Sequence, residues 1–179
     1  MVTILNKEIP NQLNELNIEQ FEEITGILND TSYDYIEKHL KVFEVFGFTE
    51  DDFQDTSLDE FKIYVKEFNN INTKCNIKKS VVIDGYKYIG VSGKSFILSV
   101  RDTKHIEKIM KNKHKGYLSE VLSVLFKRED LSNVEHYDPT HIKHKSKLIK
   151  NLKAEYAVPY LIEIGKKLKQ KVEIQNAAT

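Results

Sequence analysis

Three observations predict a mainly α protein, built as two helical subdomains, one acidic and N-terminal and one basic and C-terminal, with a central β-hairpin. Apolar residues recur at steps of three and four in several segments, each opened by a capping residue. One Asp-Gly pair, Asp84-Gly85, stands between two β-prone runs. Charge is also sorted along the 179 residues: positions 1–72 carry 16 Asp/Glu against 5 Lys/Arg, a net of −11. Positions 73–179 carry 11 Asp/Glu against 22 Lys/Arg, a net of +11. The expected partition is an acidic helical subdomain over 1–72, a linker and hairpin over 73–98, a basic helical subdomain over 99–174 and a tail over 175–179.

The opening stretch to Gln12 is mixed, and Pro10 is expected to break any regular element there. Asn17 reads as an N-cap with Gln20 in capping-box position, opening a helix whose stripe is Ile18, Phe21, Ile24 and Leu28. Ser32 is the expected cap of a second helix carrying Tyr35, Ile36, Leu40, Phe43 and Phe46, with Gly47 placed to end it. Ser57 and Glu60 form another box ahead of Leu58, Phe61, Val65 and Phe68. After the polar crossover NNINTKCNIKK, Asp84-Gly85 supplies the φ > 0 pair that a type I′ hairpin turn needs.

Ser99 or Asp102 caps the next helix, with Ile106, Ile109 and Met110 on one side, and Gly116 interrupts after KNKHK. Leu118, Val121, Leu122, Leu125 and Phe126 form the most apolar helix. Asp138-Pro139 reads as a cap and first-turn proline before Ile142, Leu148 and Leu152. Pro159 begins or kinks the last helix, which turns Tyr160, Leu161, Ile164 and Leu168 inward, and IQNAAT closes the chain as a tail.

Composition narrows the chemistry. No apolar run approaches the roughly 20 residues of a membrane helix, and the N-terminus does not read as a secretory signal. Cys75 is the sole cysteine, which rules out an intramolecular disulfide and favours a reducing compartment. The basic residues are 25 Lys and only Arg101 and Arg128, beside 13 Asn, a bias that an AT-rich coding sequence would produce.

No reaction is signalled, so no enzyme activity, catalytic residue, cofactor or resident metal is expected. His136, His141 and His144 lie near Asp138, but lysines crowd them and like charge disfavours a dication. The paired carboxylates Glu22-Glu23, Glu50-Asp51-Asp52 and Asp59-Glu60 sit in turns and first helical turns, where they suit the helix dipole. Cys75 has no nearby base, and Gly85, Gly90 and Gly93 before Lys94 match neither a phosphate-binding loop nor a dinucleotide fingerprint. The lysine rows of KHIEKIMKNKHKGY and HIKHKSKLIKNLK, interleaved with Tyr117, Tyr156 and Tyr160, suit non-specific phosphate contact. Two Arg are too few for sequence-specific base reading, and the acidic half repels the same polyanion.

The layout also resembles a known group. Glu8-Ile9-Pro10, then residues 16–21 (LNIEQF), the hairpin 82–88 (VIDGYKY), residues 118–126 (LSEVLSVLF) and 156–161 (YAVPYL) are similar in order to small proteins encoded among the structural genes of tailed bacteriophages. The likeness is greatest to those of crAss-like and other Bacteroidetes phages. It implies a virion or assembly component of the head–tail connector or tail, or a tail assembly chaperone. The protein would be made in the host cytoplasm and placed in the virion, with other phage structural proteins as partners. Opposed charge suits head-to-tail contact in a homo-oligomer or ring. The residues expected to carry that contact are Glu50, Asp51, Asp52, Asp55 and Asp59, facing Lys111, Lys113, Lys115, Lys143, Lys145 and Lys147.

Overall fold

Helices build most of the molecule in the computed structural model, which describes residues 1–10, 12, 14–69, 80–90, 98–131 and 139–177. The chain opens with a short antiparallel pair, β1 (Val2–Ile4) and β2 (Lys7–Ile9), in place of the irregular start expected. Leu5 and Asn6 both take positive φ at its turn, so the pair forms without glycine. It buries Ile4 and Ile9, while Pro10 falls just after β2 and breaks nothing.

α1 (Ile18–Asn29) starts at the expected Asn17/Gln20 box, with Gln20 N–H donating to Asn17 Oδ1 at 2.8 Å. α2 (Tyr35–Glu44) is capped by Asp34, not Ser32. Asp34 accepts from the Ile36 and Glu37 amides and Glu37 returns a carboxylate to its N–H, whereas Ser32 is tied back to Asp30. Gly47 (φ +79°) ends the helix as expected, with Gly47 N–H to the Glu44 carbonyl and Phe48 N–H to that of Phe43. A 3₁₀ turn over Glu50–Phe53 leads to α3 (Leu58–Asn69), which opens on the Ser57/Glu60 box.

β3 (Ser80–Ile83) and β4 (Tyr86–Gly90) form the expected hairpin, with Asp84 and Gly85 at φ +51° and +76°. α4 (Val100–Asn112) is capped by Ser99 with Asp102 as the third-position box residue, so both candidates act together. α5 (Tyr117–Leu125) follows Gly116 (φ +91°). Phe126 departs from expectation: it leaves the helix and begins β5 (Phe126–Arg128), which pairs antiparallel with β4. A third strand thereby gives the marginal hairpin a sheet. α6 (Pro139–Ile149) begins at the expected proline. α7 (Ala154–Ala177) starts five residues before Pro159, which lies inside it, and runs through most of the segment expected to be a tail. Asp138 lies outside the described residues.

Two apolar clusters form among the described residues. One gathers Phe43, Phe48, Phe53, Phe61 and Phe68 with β1–β2, and the Phe43 ring lies 5.2 to 6.3 Å from each of the other four. The other packs α4, α5, α6 and α7 on the inner face of the sheet. Neither cluster respects the change of charge sign. Ala154 and Val158 of α7 lie in the phenylalanine cluster, and Ile18 of α1 lies in the other. Main-chain bonds join the two parts, from Ala154 N–H to the Leu16 carbonyl (2.7 Å) and from Ile18 N–H to that of Leu152 (2.9 Å).

Candidate docking surfaces

The acidic candidates gather on one corner. Glu50, Asp51 and Asp52 occupy the 3₁₀ turn, Asp55 follows it and Asp59 lies in the first turn of α3; all five are exposed. Local bonds explain part of this density. Asp52 accepts from Thr49 N–H (2.7 Å) and from Lys7 Nζ (3.0 Å), and the amide bond first, the lysine second, hold its carboxyl below the usual range. Glu60 is likewise lowered, by the Ser57 hydroxyl and then its N–H. Asp52 is therefore engaged within the chain, as are Asp51, which accepts from Gln54 Nε2, and Asp59, which pairs with Lys62 at 3.3 Å.

Beside this corner runs an apolar groove of ≈ 260 Å³ between α2 and α3, floored by Ile36, Leu40, Phe53, Leu58 and Phe61 with Glu50 on its rim. The sequence reads Ile36, Tyr35 and Leu58 only among the apolar residues that their helices carry. They are 42%, 52% and 51% exposed. The α2–α3 pair closes over Phe43 and Phe61 and leaves its outer apolar residues uncovered.

The basic candidates divide. Lys111, Lys113, Lys115, Lys143 and Lys147 are exposed. Lys145 is not: it is 4% exposed, its ammonium donates to the Phe126 carbonyl at 2.9 Å and it stands 5.8 Å from the Tyr88 ring centre. It ties α6 to the start of β5, so it cannot present its charge to a partner. Lys113, Lys115 and Lys147 line a wider groove of ≈ 520 Å³ between α1, α6 and the α4–α5 turn. Glu19, Glu22 and Glu23 form its opposite wall. There the two charge signs meet within one chain. Lys150 pairs with Glu19 at 3.2 Å, and buried Glu22 accepts from the Gly116 and Leu118 amides at the positive start of α5. Glu22 read only as a solvated helix charge in the sequence; its partners lie 94 and 96 residues away.

α4 carries a clearer basic feature. Arg101, Lys104, Lys108 and Lys111 are all exposed and spaced three, four and three apart, which places them in one row. Of the tyrosines interleaved with the lysines, Tyr160 is fully buried against Gly90 and Phe126, and so offers no base-stacking face. Burial first, and Glu22 second, push the Tyr117 hydroxyl above its usual value. Arg128 is held by Asp130 and lies 3.8 Å from the Tyr86 ring centre. His144 is exposed, and among the described residues no three His, Cys, Asp or Glu side chains cluster as a metal site would need. Cys75, Gly93, Lys94 and His136 lie outside the described residues. No helix among the described residues is long and apolar enough to cross a membrane.

No protein-family model matches the chain, and neither curated proteins nor solved structures give a match.

Proposed function

We propose that this chain is a structural or assembly protein of a tailed phage that works by protein–protein contact. The observation that carries the reading is the pairing of an exposed acidic corner, Glu50, Asp51, Asp55 and Asp59, with an uncovered apolar groove. Apolar contact surrounded by charge is the anatomy of a docking surface: the apolar part supplies affinity and the rim steers the partner and fixes register. The element order of the sequence supports the choice of a connector or tail component, and a tail assembly chaperone would use the same surface. Mass spectrometry of purified particles and of assembly intermediates tests this. The chain is expected beside connector or tail proteins in one of the two; its absence from both would overturn the reading.

The α4 row favours a second reading, an accessory protein that touches nucleic-acid phosphates. A gel shift titrated with salt separates the two, because phosphate contacts must weaken steeply as counterions rise.

A further inference from the structure

We propose that the groove between α2 and α3 seats α4 of a second copy of this chain, so that copies add head to tail. This rests on the protein–protein reading above and names the partner. The groove asks for two things at once. Its floor is apolar, and Ile36 and Leu58 leave 42% and 51% of their surface open. The charge beside it is negative: Glu50 lines it, and Asp55 and Asp59 are chain neighbours of its lining residues Gln54, Thr56 and Leu58, Asp59 with Lys62 at 3.3 Å. An occupant must bring apolar contact and positive charge together, and a cleft between two helices accepts a third helix most readily.

The same chain presents such a helix. Along α4, Arg101, Lys104, Lys108 and Lys111 form one exposed row, which spans about 15 Å at the helical rise. At its start Val100 is 75% exposed, the most open of the large apolar residues described. Lysine stems extend that apolar contact, since their methylene chains lie on apolar surface while the ammonium groups reach the carboxylates. Groove and row are different surfaces of one molecule. The contact is therefore heterologous: each added copy presents a new groove at one end and a new α4 at the other, giving a ring where the rotation closes.

Two variants of the full chain test this, Ile36→Asn/Leu58→Asn for the groove and Lys104→Glu/Lys108→Glu/Lys111→Glu for the row. All five positions lie at the surface or half-open, and circular dichroism checks that each variant folds. In size-exclusion chromatography with light scattering, the wild type should gain mass with concentration at low salt and lose it as salt rises. Each variant alone should remain a monomer. An equimolar mixture should give a dimer and nothing larger, because one groove and one α4 survive in the pair. Association that the groove variant leaves unchanged, or that disappears on nuclease treatment, would overturn the proposal, the latter in favour of phosphate contact. A wild type that stays monomeric but is found in particles would remove the second-copy contact and keep the assembly reading. Self-association as expected, with absence from particles and intermediates, would do the reverse.

Discussion

Gly90 shows how one position can be fixed by what lies across from it. A Cβ built there would overlap the ring and hydroxyl of Tyr160, itself fully buried against Phe126 with ring centres 4.9 Å apart. Gly90→Ala should cost about 1–3 kcal/mol by overpacking, lowering Tm by roughly 2–12 °C in a thermal melt. Lys145 is the converse case, a charge kept inside where its ammonium donates a hydrogen bond to the Phe126 carbonyl. Lys145→Ala should destabilise by about 1–3 kcal/mol in urea unfolding, since the substitution leaves that carbonyl without its donor. His105 gives a pH signature. Burial above all, with Lys108 adding, holds its pKa below 6.5, while Glu120 and Asp102 oppose the shift. The unfolded chain takes up the proton more readily, so His105 contributes stability above about pH 6.5 that is lost as pH falls through the lower folded value. Tm measured from pH 7.5 down to 5.5 should fall more steeply for the wild type than for His105→Gln.

At the scale of elements, the principal link is Glu22 of α1 at the start of α5. Its carboxylate accepts two backbone amides that no residue of α5 itself can satisfy. Glu22→Ala should cost about 2–3 kcal/mol in equilibrium unfolding, and Glu22→Gln less, because an amide oxygen can still accept one of the two bonds. Elements governed by near neighbours were legible in the sequence: the boxes at Asn17/Gln20, Ser57/Glu60 and Ser99/Asp102, and the Asp84-Gly85 turn, all close within four residues. Ser32 misled because several good cappers precede α2, and only Glu37 at the third position selects Asp34. β5 was hidden because Phe126 continues the apolar stripe of α5, while its strand geometry comes from β4, with which it pairs through Gly90. The docking corner was half legible. Its carboxylates could be read, but the groove could not, because an amphipathic pattern does not say whether a partner helix covers the stripe. Lys145 could have been found: it lies between Ile142 and Ile149 at steps of three and four, on the buried side of α6.

For the whole molecule, the charge boundary and the packing boundary do not coincide. The phenylalanine cluster is completed by Ala154 and Val158, and the α1 start is bonded to the segment entering α7. A fragment spanning 1–72 should therefore lack cooperative thermal unfolding by circular dichroism, whereas the full chain should melt as one unit. Part of the opposed charge is consumed inside the chain, at Glu19–Lys150. Much of the rest is exposed, on the acidic corner, the α4 row and lysines such as Lys113, Lys115, Lys143 and Lys147.

That α7 closes the first cluster has a consequence for how the chain is made. Translation delivers residues at roughly 5–20 per second, and domains usually fold as they emerge. Here the aromatic centre of the N-terminal part must wait for residue 158 before its last wall arrives. For the seconds that synthesis of residues 73–158 takes, five phenylalanines stand without their final cover, and the excess of carboxylates around them keeps nascent chains apart.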